Sequence, residues 1–219
     1  MRTSISRRNR VGGAMNEGVQ LIVMCKAPVS GCVKTRLSPP YSADEAAAIH
    51  QAMAEAVIGR NSTIISNSWI ATDDVTHPFF ERFDLPLVDQ GDGDLGERMA
   101  RLTRKAFSEG AKAVLIVGTD SPHMPESRLP RAVEMLGSFD VVIGPVEDGG
   151  YDLIAMNSAY TELFREIQWS SEVVLDQTLE RAKAGGISIG ELDISFDLDT
   201  AESLERAKSL WTSPIQVTL

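Results

Sequence analysis

The segment AVLIVGTDSPHM, residues 113–124, joins a continuous apolar run to a polar loop that contains Asp120. Its first five residues, Ala113 to Val117, predict a strand buried on both faces, as strands are in a parallel sheet covered by helices. A second run of this kind, Leu21 to Cys25, also leads into a polar loop, which begins at Lys26. Two buried strands that end in polar loops indicate an α/β fold whose functional groups gather at one edge of the sheet.

Helical patterns alternate with these strands along the chain. Ser42 and Glu45 have the spacing of a capping box, and apolar residues follow at helical spacing from Ala46 to Val57. Further helices are predicted at residues 95–109, 126–136, 173–183 and 201–210, and further strands at residues 69–71, 85–88, 140–144, 151–156 and 187–194. The alternation predicts a sandwich of helices around a mostly parallel sheet.

The composition is that of one globular domain. The chain has 219 residues, 43% of them hydrophobic, and no Pro-, Ser- or Gly-rich linker divides it. We predict a single domain over residues 19–212, preceded by a disordered basic tail, residues 1–18, and followed by a C-terminal tail, residues 213–219. The formal net charge of −10 argues against non-specific nucleic-acid binding, which depends on a basic surface. The net charge does not argue against a phosphate ligand, because local positive charge or a bound metal ion can outweigh it at the binding site.

The N-terminal arginines and the two cysteines bear on the compartment. Arg7 and Arg8 form a pair, but the apolar run that follows, Val19 to Cys25, is too short for a twin-arginine export signal. No run reaches the ~18 apolar residues of a membrane span. Cys25 and Cys32 lack zinc-ligand spacing and are typical of free thiols in a reducing compartment. We therefore predict a cytoplasmic protein.

The loop after the first strand, KAPVSGCVKTRL at residues 26–37, has the composition of a phosphate-binding loop. Gly31 lets the backbone approach a ligand closely, while Lys34 and Arg36 supply cations on either side of the Thr35 hydroxyl. The spacing of a Walker A loop is absent. An ordinary solvated loop with surface cations has the same composition, so the sequence leaves both interpretations open.

Carboxylates follow two of the predicted strands. Asp120 comes directly after residues 113–117, and a carboxylate at a strand end can bind a hard cation that bridges phosphates. Asp120 or Ser121 could instead cap the next helix. Asp197 and Asp199 are candidate partners of Asp120, since their spacing puts both carboxylates on the same side of an extended segment. Asp199 or Thr200 could also cap the last helix.

Two further segments are candidates for the second substrate. Asp148 opens a turn, DGGY, that is either a plain connection or a means of pointing the carboxylate at a substrate. Trp169 is either a core residue or a wall facing a sugar, and Ser170 or Ser171 is expected to cap the helix that follows. Asp94 is expected to cap the helix that carries Arg98.

The ordered set of motifs resembles a family of small bacterial GT-A-type glycosyltransferases, formerly of unknown function and linked by name to arsenosugar biosynthesis. The matching pieces are KAPVSGCVKTRLSP, GDLGERM, GTDSPHM, DVVIGPVEDGGYDLI, a WS pair and FDLDTAESL, and they cover roughly residues 20–210. A wider similarity extends to nucleotide-diphospho-sugar transferases and to guanylyltransferases. The chain departs from the family pattern at Cys32, where a Lys or Arg is usual, and at Asp152, where an aromatic residue is common.

The resemblance implies a GT-A, Rossmann-like, three-layer α/β/α sandwich with one antiparallel strand. It also implies three groups of site residues. The nucleotide site would comprise Ala27, Pro28, Gly31, Lys34, Thr35, Arg36, Gly96, Arg98 and Ser121. The metal site, for Mg²⁺ or Mn²⁺, would comprise Asp120 with Asp197 or Asp199, and the acceptor site would comprise Gly149, Gly150, Tyr151, Trp169 and Ser170.

These expectations combine into metal-dependent glycosyl transfer from a nucleotide sugar to a small-molecule acceptor. Asp148 would orient or deprotonate the acceptor hydroxyl, while Lys34 and Arg36 would stabilise the departing diphosphate. One alternative is a nucleotidyltransferase that uses a nucleoside triphosphate and releases pyrophosphate. Another is a nucleotide-binding protein without catalysis, and a homodimer is left open. No nucleic acid and no membrane is expected among the partners.

Overall fold

The computed structural model describes residues 17–211. Seven strands form one sheet: β1 (Val19–Met24), β2 (Ser68–Thr72), β3 (Leu87–Asp89), β4 (Ala113–Val117), β5 (Val141–Pro145), β6 (Tyr151–Met156) and β7 (Ile189–Glu191). The α-helices are α1 (Ala43–Ile64), α2 (Leu95–Ser108), α3 (Arg128–Met135), α4 (Val174–Gly185) and α5 (Ala201–Ala207). Short 3₁₀ helices lie at Thr35–Leu37, Pro78–Arg82 and Thr161–Phe164.

The strand order is β3-β2-β1-β4-β6-β5-β7. β6 runs antiparallel to both of its neighbours, β4 and β5, and every other pairing is parallel. The predicted fold, a mostly parallel sheet with one antiparallel strand, is confirmed. The arrangement also positions the site. Because β6 runs the opposite way, its first residues lie at the edge where β4 and β5 end.

The two faces of the sheet carry separate cores. On one face, residues such as Leu21 and Leu115 pack against α1 and α3, whose apolar sides include Val57 and Leu129. On the other face, residues such as Ile22 pack against α2 and α4. The alternation of Leu21 and Ile22 follows from the two-residue period of a strand. Helices on both faces of one sheet make the three-layer sandwich that the resemblance implied.

A third, smaller apolar cluster lies beside the sheet and joins segments far apart in sequence. Leu37, at the end of the first polar loop, packs with Ile49 of α1 and with Leu198, between the two aspartates of the DLD segment. Leu37, Ile49 and Leu198 are all fully buried. Leu204 of α5 completes the contact. The cluster therefore holds the residue 26–37 loop next to Asp197 and Asp199.

The helix starts agree with the predicted caps in three cases. Ser42 with Glu45 and Asp94 with Glu97 form complete capping boxes, and Thr200, the second of the two residues proposed, caps α5. The predicted cap of α4 is wrong. That helix begins after Val173 without a side-chain cap, and the Ser171 hydroxyl donates instead to the Gln168 carbonyl at 2.5 Å.

Two strands differ from the prediction in their bounds. β3 begins at Leu87, after Pro86 rather than before it, since proline has no N–H to donate to a neighbouring strand. β7 ends at Glu191 instead of continuing to Ile194, which is 66% exposed. The predicted tails lie mostly outside residues 17–211, and the division into tails and domain stays a prediction. Within residues 17–211, no helix has the length and apolarity to cross a membrane.

Candidate functional site at the carboxyl edge of the sheet

A cavity of about 810 Å³ opens at the carboxyl ends of β1 and β4. Its walls come from the loop after β1, the loop after β4, the start of α2, the turn between β5 and β6, the segment before α4 and the DLD segment. Ligands of open α/β sheets bind outside the carboxyl ends of the strands, and this cavity has that position. The polar loops singled out in the sequence therefore meet at one place.

A buried ammonium lies at the centre of the acidic side of this cavity. Lys34, in the left-handed conformation with φ 48°, is only 4% exposed through its side chain. Its Nζ lies 2.7 Å from Asp120 Oδ1 and 2.5 Å from Asp199 Oδ1. It also donates to the Leu198 carbonyl at 3.0 Å. Sequence reasoning placed these residues in one site, but it did not foresee that Lys34 pairs with the carboxylates themselves.

The electrostatics of this cluster favour the ion pair. Burial alone would lower the pKa of Lys34, but the charges of Asp120 and Asp199 outweigh it and raise that pKa. Burial would likewise raise the pKa of Asp120, yet the facing Lys34 ammonium lowers it. Both groups are therefore charged at neutral pH. The alternative in which Asp120 or Ser121 caps a helix does not apply, because α3 starts later, after Ser127.

Asp197 is the third carboxyl group on the acidic side of the cavity. Its Oδ1 accepts a hydrogen bond from the Ser121 hydroxyl at 2.8 Å. Burial, followed by the nearby charge of Asp120, raises the pKa of Asp197 to about 7, and Asp199 and Asp148 add to the effect. Burial is the main reason that this carboxyl group resists ionisation, and the three neighbouring carboxylates strengthen the effect. The acidic cluster, Asp120, Asp197 and Asp199, therefore suits an additional cation.

The donor set fits a divalent metal shared with a ligand better than a metal held by protein alone. No three His, Cys, Asp or Glu side chains between residues 17 and 211 are arranged to enclose a metal ion. Asp120 and Asp199 do converge on one ammonium. Mg²⁺ is commonly bound by one or two carboxylates plus substrate phosphates and water, and it takes oxygen ligands of this kind.

The other cations of the cavity flank the acidic cluster. Arg36 is 66% exposed through its side chain, and its Nη1 lies 3.8 Å from Asp199 Oδ2. Lys26 and Thr35 line the cavity beside it. Cys32, which stands where the family usually has a cation, is exposed and also lines the cavity. The loop thus offers Lys26 and Arg36 to an anionic ligand, with Lys34 already paired.

The far side of the cavity is built where the DGG turn meets the segment before α4. A Cβ on Gly149, whose φ is +85°, would lie 2.0 Å from the Glu172 carbonyl oxygen, so only glycine permits this approach. The Gly149 carbonyl accepts from the Leu175 N–H at 2.8 Å. Asp148 Oδ1 accepts from the Gly150 N–H at 3.0 Å, which fixes the exposed carboxylate at the cavity wall.

Two aromatic side chains complete this side. The rings of Tyr151 and Trp169 meet edge to face with centroids 6.4 Å apart, and both line the cavity. Trp169 packs so closely on α2 that a Cβ on Gly96 would lie 2.7 Å from Trp169 Nε1 and 2.3 Å from the Phe164 carbonyl oxygen. Gly96 therefore has a packing role, whatever its part in nucleotide binding. Trp169 packs against α2 and also lines the cavity. It therefore has features of both roles that the sequence left open, a core residue and a wall of the binding site.

Sequence reasoning missed three residues that shape the side of the cavity formed by the first loop and α2. Asp73, after β2, accepts from the Ala27 N–H at 2.8 Å and so fixes the start of the first loop. His50 of α1 contacts the Lys26 carbonyl through Nε2 at 3.0 Å and lines the cavity. Gln90 is buried, donates to the Ala71 carbonyl at 2.8 Å and accepts from Arg98 Nη1 at 3.3 Å. A carboxylate or amide just past a predicted strand was the available signal for Asp73 and Gln90.

Asp152, the other departure from the family pattern, forms a buried ion pair. Its Oδ1 accepts from Arg128 Nη2 at 2.9 Å and from Nε at 3.2 Å. Burial, only partly offset by Arg128, raises the pKa of Asp152 to about 6. A Cβ on Gly144 would lie within 2.6 Å of both side chains. The polar residue is therefore accommodated by a partner on α3 and by a glycine on β5.

Most of the predicted site residues line the cavity. They are Lys34, Thr35, Arg36, Arg98, Asp120, Asp148, Gly150, Tyr151, Trp169, Ser170, Asp197 and Asp199. The other predicted residues, Ala27, Pro28, Gly31, Gly96, Ser121 and Gly149, lie behind it or beside it, where Ala27, Ser121 and Gly149 fix cavity-lining segments as described above. The ligand roles given to all of these residues stay predictions.

Comparisons with known proteins agree with this geometry. A family profile described as "uncharacterized protein conserved in bacteria" matches residues 65–171, which include Asp120 and Asp148. A structure from Desulfovibrio desulfuricans G20, assigned provisionally as a nucleotide-diphospho-sugar transferase, shares 28% sequence identity and a TM-score of 0.79, covering 84% of this chain and 83% of its own. The chain is thus similar in sequence and fold to a nucleotide-diphospho-sugar transferase-like protein.

More distant structures share the fold of this chain. 4-Diphosphocytidyl-2C-methyl-D-erythritol synthase from Anaerococcus prevotii is 13% identical with a TM-score of 0.56, covering 90% of this chain and 97% of its own. Glucosyl-3-phosphoglycerate synthase from Mycobacterium tuberculosis, solved with Mn²⁺ and UDP, is 12% identical with a TM-score of 0.53, covering 87% and 76%. No curated protein sequence matches the chain. The fold thus occurs in glycosyl- and nucleotidyltransferases alike.

Proposed function

We propose that the protein transfers a glycosyl group from a nucleotide-diphosphate sugar to an acceptor hydroxyl, with Mg²⁺ or Mn²⁺. The observation that carries the proposal is the charge distribution of the cavity. Asp120 and Asp199 share the Lys34 ammonium, and Asp197, which accepts from Ser121, has no ion pair of its own among the described residues. A diphosphate could not approach this acidic cluster unless a further cation came with it.

Asp120 and Asp199 would hold the metal, with Asp197 beside them. When bound, the metal would neutralise the diphosphate leaving group, which is the role expected of a Lewis acid in this reaction class. Arg36 and Lys26 would bind phosphate oxygens from the other side, and an arginine can do so through two parallel hydrogen bonds. Gln90 and Arg98 line the same side of the cavity and would face the nucleoside.

The acceptor would lie against Asp148, Tyr151 and Trp169. Asp148 would take the proton of the acceptor hydroxyl while the hydroxyl oxygen forms a bond to the anomeric carbon of the donor sugar. The bond between that carbon and the diphosphate oxygen breaks, and its electron pair leaves with the nucleoside diphosphate. Asp148 is suited to this role because a hydrogen bond from Gly150 fixes its carboxylate at the cavity wall while its side chain stays exposed.

Nucleotidyl transfer is the competing candidate because 4-diphosphocytidyl-2C-methyl-D-erythritol synthase shares the fold. It would use the same nucleotide side but would break the bond between the α- and β-phosphates of a nucleoside triphosphate. The two reactions release different products, nucleoside diphosphate in one and pyrophosphate in the other. Product identity therefore decides between them.

The deciding experiment incubates the protein with UDP-, GDP- and ADP-sugars, and separately with nucleoside triphosphates plus sugar phosphates. Each mixture contains Mn²⁺ or EDTA and is analysed by chromatography. Slow, metal-dependent release of nucleoside diphosphate is expected even without acceptor, since water can replace the hydroxyl. Asp120→Asn should abolish it, whereas Asp176→Asn, an exposed substitution on α4, should not. Pyrophosphate as the sole product would overturn the proposal.

A further inference from the structure

The charges that line the cavity are segregated. All four cationic lining residues, Lys26, Lys34, Arg36 and Arg98, belong to the first loop or to α2, on the nucleotide side. The opposite side, which we call the acceptor wall, consists of Asp148, Tyr151, Asp152, Trp169, Ser170 and Glu172. Within the part of the chain that the structure describes, the acceptor wall contains carboxylates, hydroxyls and aromatic rings but no cation.

Two arginines that pair with carboxylates in or next to this wall, Arg128 and Arg206, are already engaged. Arg128 is only 7% exposed through its side chain, binds Asp152 through Nε and Nη2, and donates from Nη1 to the Asp193 carbonyl at 2.7 Å. Arg206 forms a bidentate pair with Glu147, at 2.5 and 2.8 Å. Neither guanidinium has the free donor pair that recognition of a phosphate or carboxylate requires.

From this segregation we infer that the acceptor is an uncharged compound bearing several hydroxyl groups, and not a phosphorylated or carboxylated one. The inference rests on the proposed function and names the substrate class of that site. Asp148 and Glu172 would repel an anionic acceptor, and a cleft with charges of one sign concentrates that field. Hydroxyl groups, in contrast, can donate to these carboxylates.

The wall also offers the contacts that a polyol needs. Asp152 Oδ2 is buried, belongs to a side chain that is 3% exposed at the cavity, and has no hydrogen-bond partner among residues 17–211. A substrate hydroxyl that reached it would satisfy this acceptor, and buried polar groups are normally satisfied. Tyr151 and Trp169 provide flat apolar surface for the C–H groups of a sugar ring.

Binding of matched probes tests the inference. Methyl α-D-glucopyranoside and glucose 6-phosphate differ mainly in charge, and each is titrated into the protein with UDP and Mn²⁺, followed by saturation-transfer NMR. The neutral glycoside should bind at least about tenfold more tightly, because like-charge juxtaposition is costly, and the difference should shrink at high salt. Equal or tighter binding of the phosphorylated probe would overturn the inference.

A charge reversal on the wall supplies a second readout. Glu172→Lys should improve glucose 6-phosphate binding by about tenfold without improving the neutral glycoside. The matched control is Glu180→Lys, which makes the same charge change on the exposed side of α4, outside the cavity, and should change neither probe. An identical response of the two variants would mean that net charge, rather than the wall, controls acceptor choice, and would also overturn the inference.

Failure of the inference can be told apart from failure of the proposed function. If the proposed function fails, no nucleotide sugar releases nucleoside diphosphate, and pyrophosphate appears from a nucleoside triphosphate. If only the inference fails, nucleoside diphosphate is released, and phosphorylated acceptors stimulate its release more than neutral ones do. The released product tests the proposed function, and the acceptor preference tests the inference. Because the two are measured separately, a failure of one can be told from a failure of the other.

Discussion

The ammonium of Lys34 lies 2.5 Å from the carboxylate of Asp199, its partner across 165 positions of sequence, and 2.7 Å from that of Asp120. Lys34 thus occupies the position between two carboxylates that a divalent cation would also seek. A metal ion and the ammonium compete for the same oxygens. A bound diphosphate would relieve the competition, since it offers Lys34 other oxygens to pair with.

Replacement of Lys34 tests this competition. Lys34→Met should strengthen Mn²⁺ binding in the absence of nucleotide by at least about tenfold, because the carboxylates lose their internal cation. Without metal, the variant should be destabilised by about 1 kcal/mol, since the partly exposed carboxylates of Asp120 and Asp199 lose their shared cation but keep their contact with water. Electron paramagnetic resonance of free Mn²⁺ measures the affinity. Lys183→Met, on the exposed end of α4, is the control, and equal affinity in all three proteins would contradict the prediction.

Replacement of Arg36 tests phosphate recognition. Arg36→Ala should weaken nucleoside diphosphate binding by about tenfold and leave nucleoside binding unchanged, because a charge-assisted contact is worth about 1.5 kcal/mol at an exposed site. Calorimetric titration of UDP and uridine, both with Mn²⁺, gives the comparison. Arg131→Ala removes an exposed arginine from α3 and should affect neither ligand. Equal losses for UDP and uridine would mean that Arg36 acts through folding.

The buried pair of Asp152 and Arg128 predicts an unusual pH dependence of stability. The pKa of Asp152 is raised in the folded protein from 3.8 to about 6, so the folded state holds this proton more tightly than the unfolded chain does. The contribution of Asp152 to the free energy of unfolding is therefore largest below about pH 4. It should fall by about 3 kcal/mol as the pH rises through 6.

Asp152→Asn removes this titration, so urea unfolding of both proteins between pH 4 and 7.5 isolates the effect. The difference in unfolding free energy, wild type minus variant, should decrease with rising pH and level off above about pH 6.5. An increase over the same interval would show that the ion pair lowers the pKa of Asp152, and the prediction would then be wrong.

Two glycines with positive φ allow the cost of a steric clash to be compared with the cost of the left-handed backbone alone. Gly149 (φ +85°) lies against the Glu172 carbonyl, whereas a Cβ on Gly186 (φ +67°) would have open space around it. Gly186→Ala should cost about 1 kcal/mol, the price of a side chain in the left-handed region. Gly149→Ala should cost clearly more, about 3 kcal/mol, because the new methyl group would also push the Gly149 turn away from the Glu172 carbonyl. Equal losses of unfolding free energy in the two variants would contradict the prediction, because they would show that the Gly149 turn can move away from Glu172 without strain.

The fold could be predicted from local signals. The apolar runs at Ala113–Val117 and Leu21–Cys25 are continuous, and the capping boxes at Ser42 and Asp94 mark helix starts through contacts within one turn. β7 was overestimated because its length depends on pairing with β5 alone, which sequence periodicity does not report. The α4 cap was misplaced because Ser171 bonds to a nearby carbonyl instead.

The sequence predicts which residues belong to the site but not how their side chains contact one another. The motifs identified Lys34, Asp120 and Asp199 as neighbours, since polar loops at the ends of parallel strands share one edge. They did not reveal that Lys34 pairs with both carboxylates, or that Arg128 balances Asp152. Those contacts depend on side-chain directions across 24 to 165 positions of sequence, and no local pattern encodes them.

The small apolar cluster of Leu37, Ile49 and Leu198 has a consequence for the order in which the site is made. During synthesis the Lys34 loop leaves the ribosome 165 positions before Asp199. The acidic corner of the cavity cannot assemble while only the first part of the chain has been made, because Leu198 and Asp199 have not yet been synthesised. The pairing of Lys34 with Asp199 therefore waits until Leu198 and α5 pack onto α1.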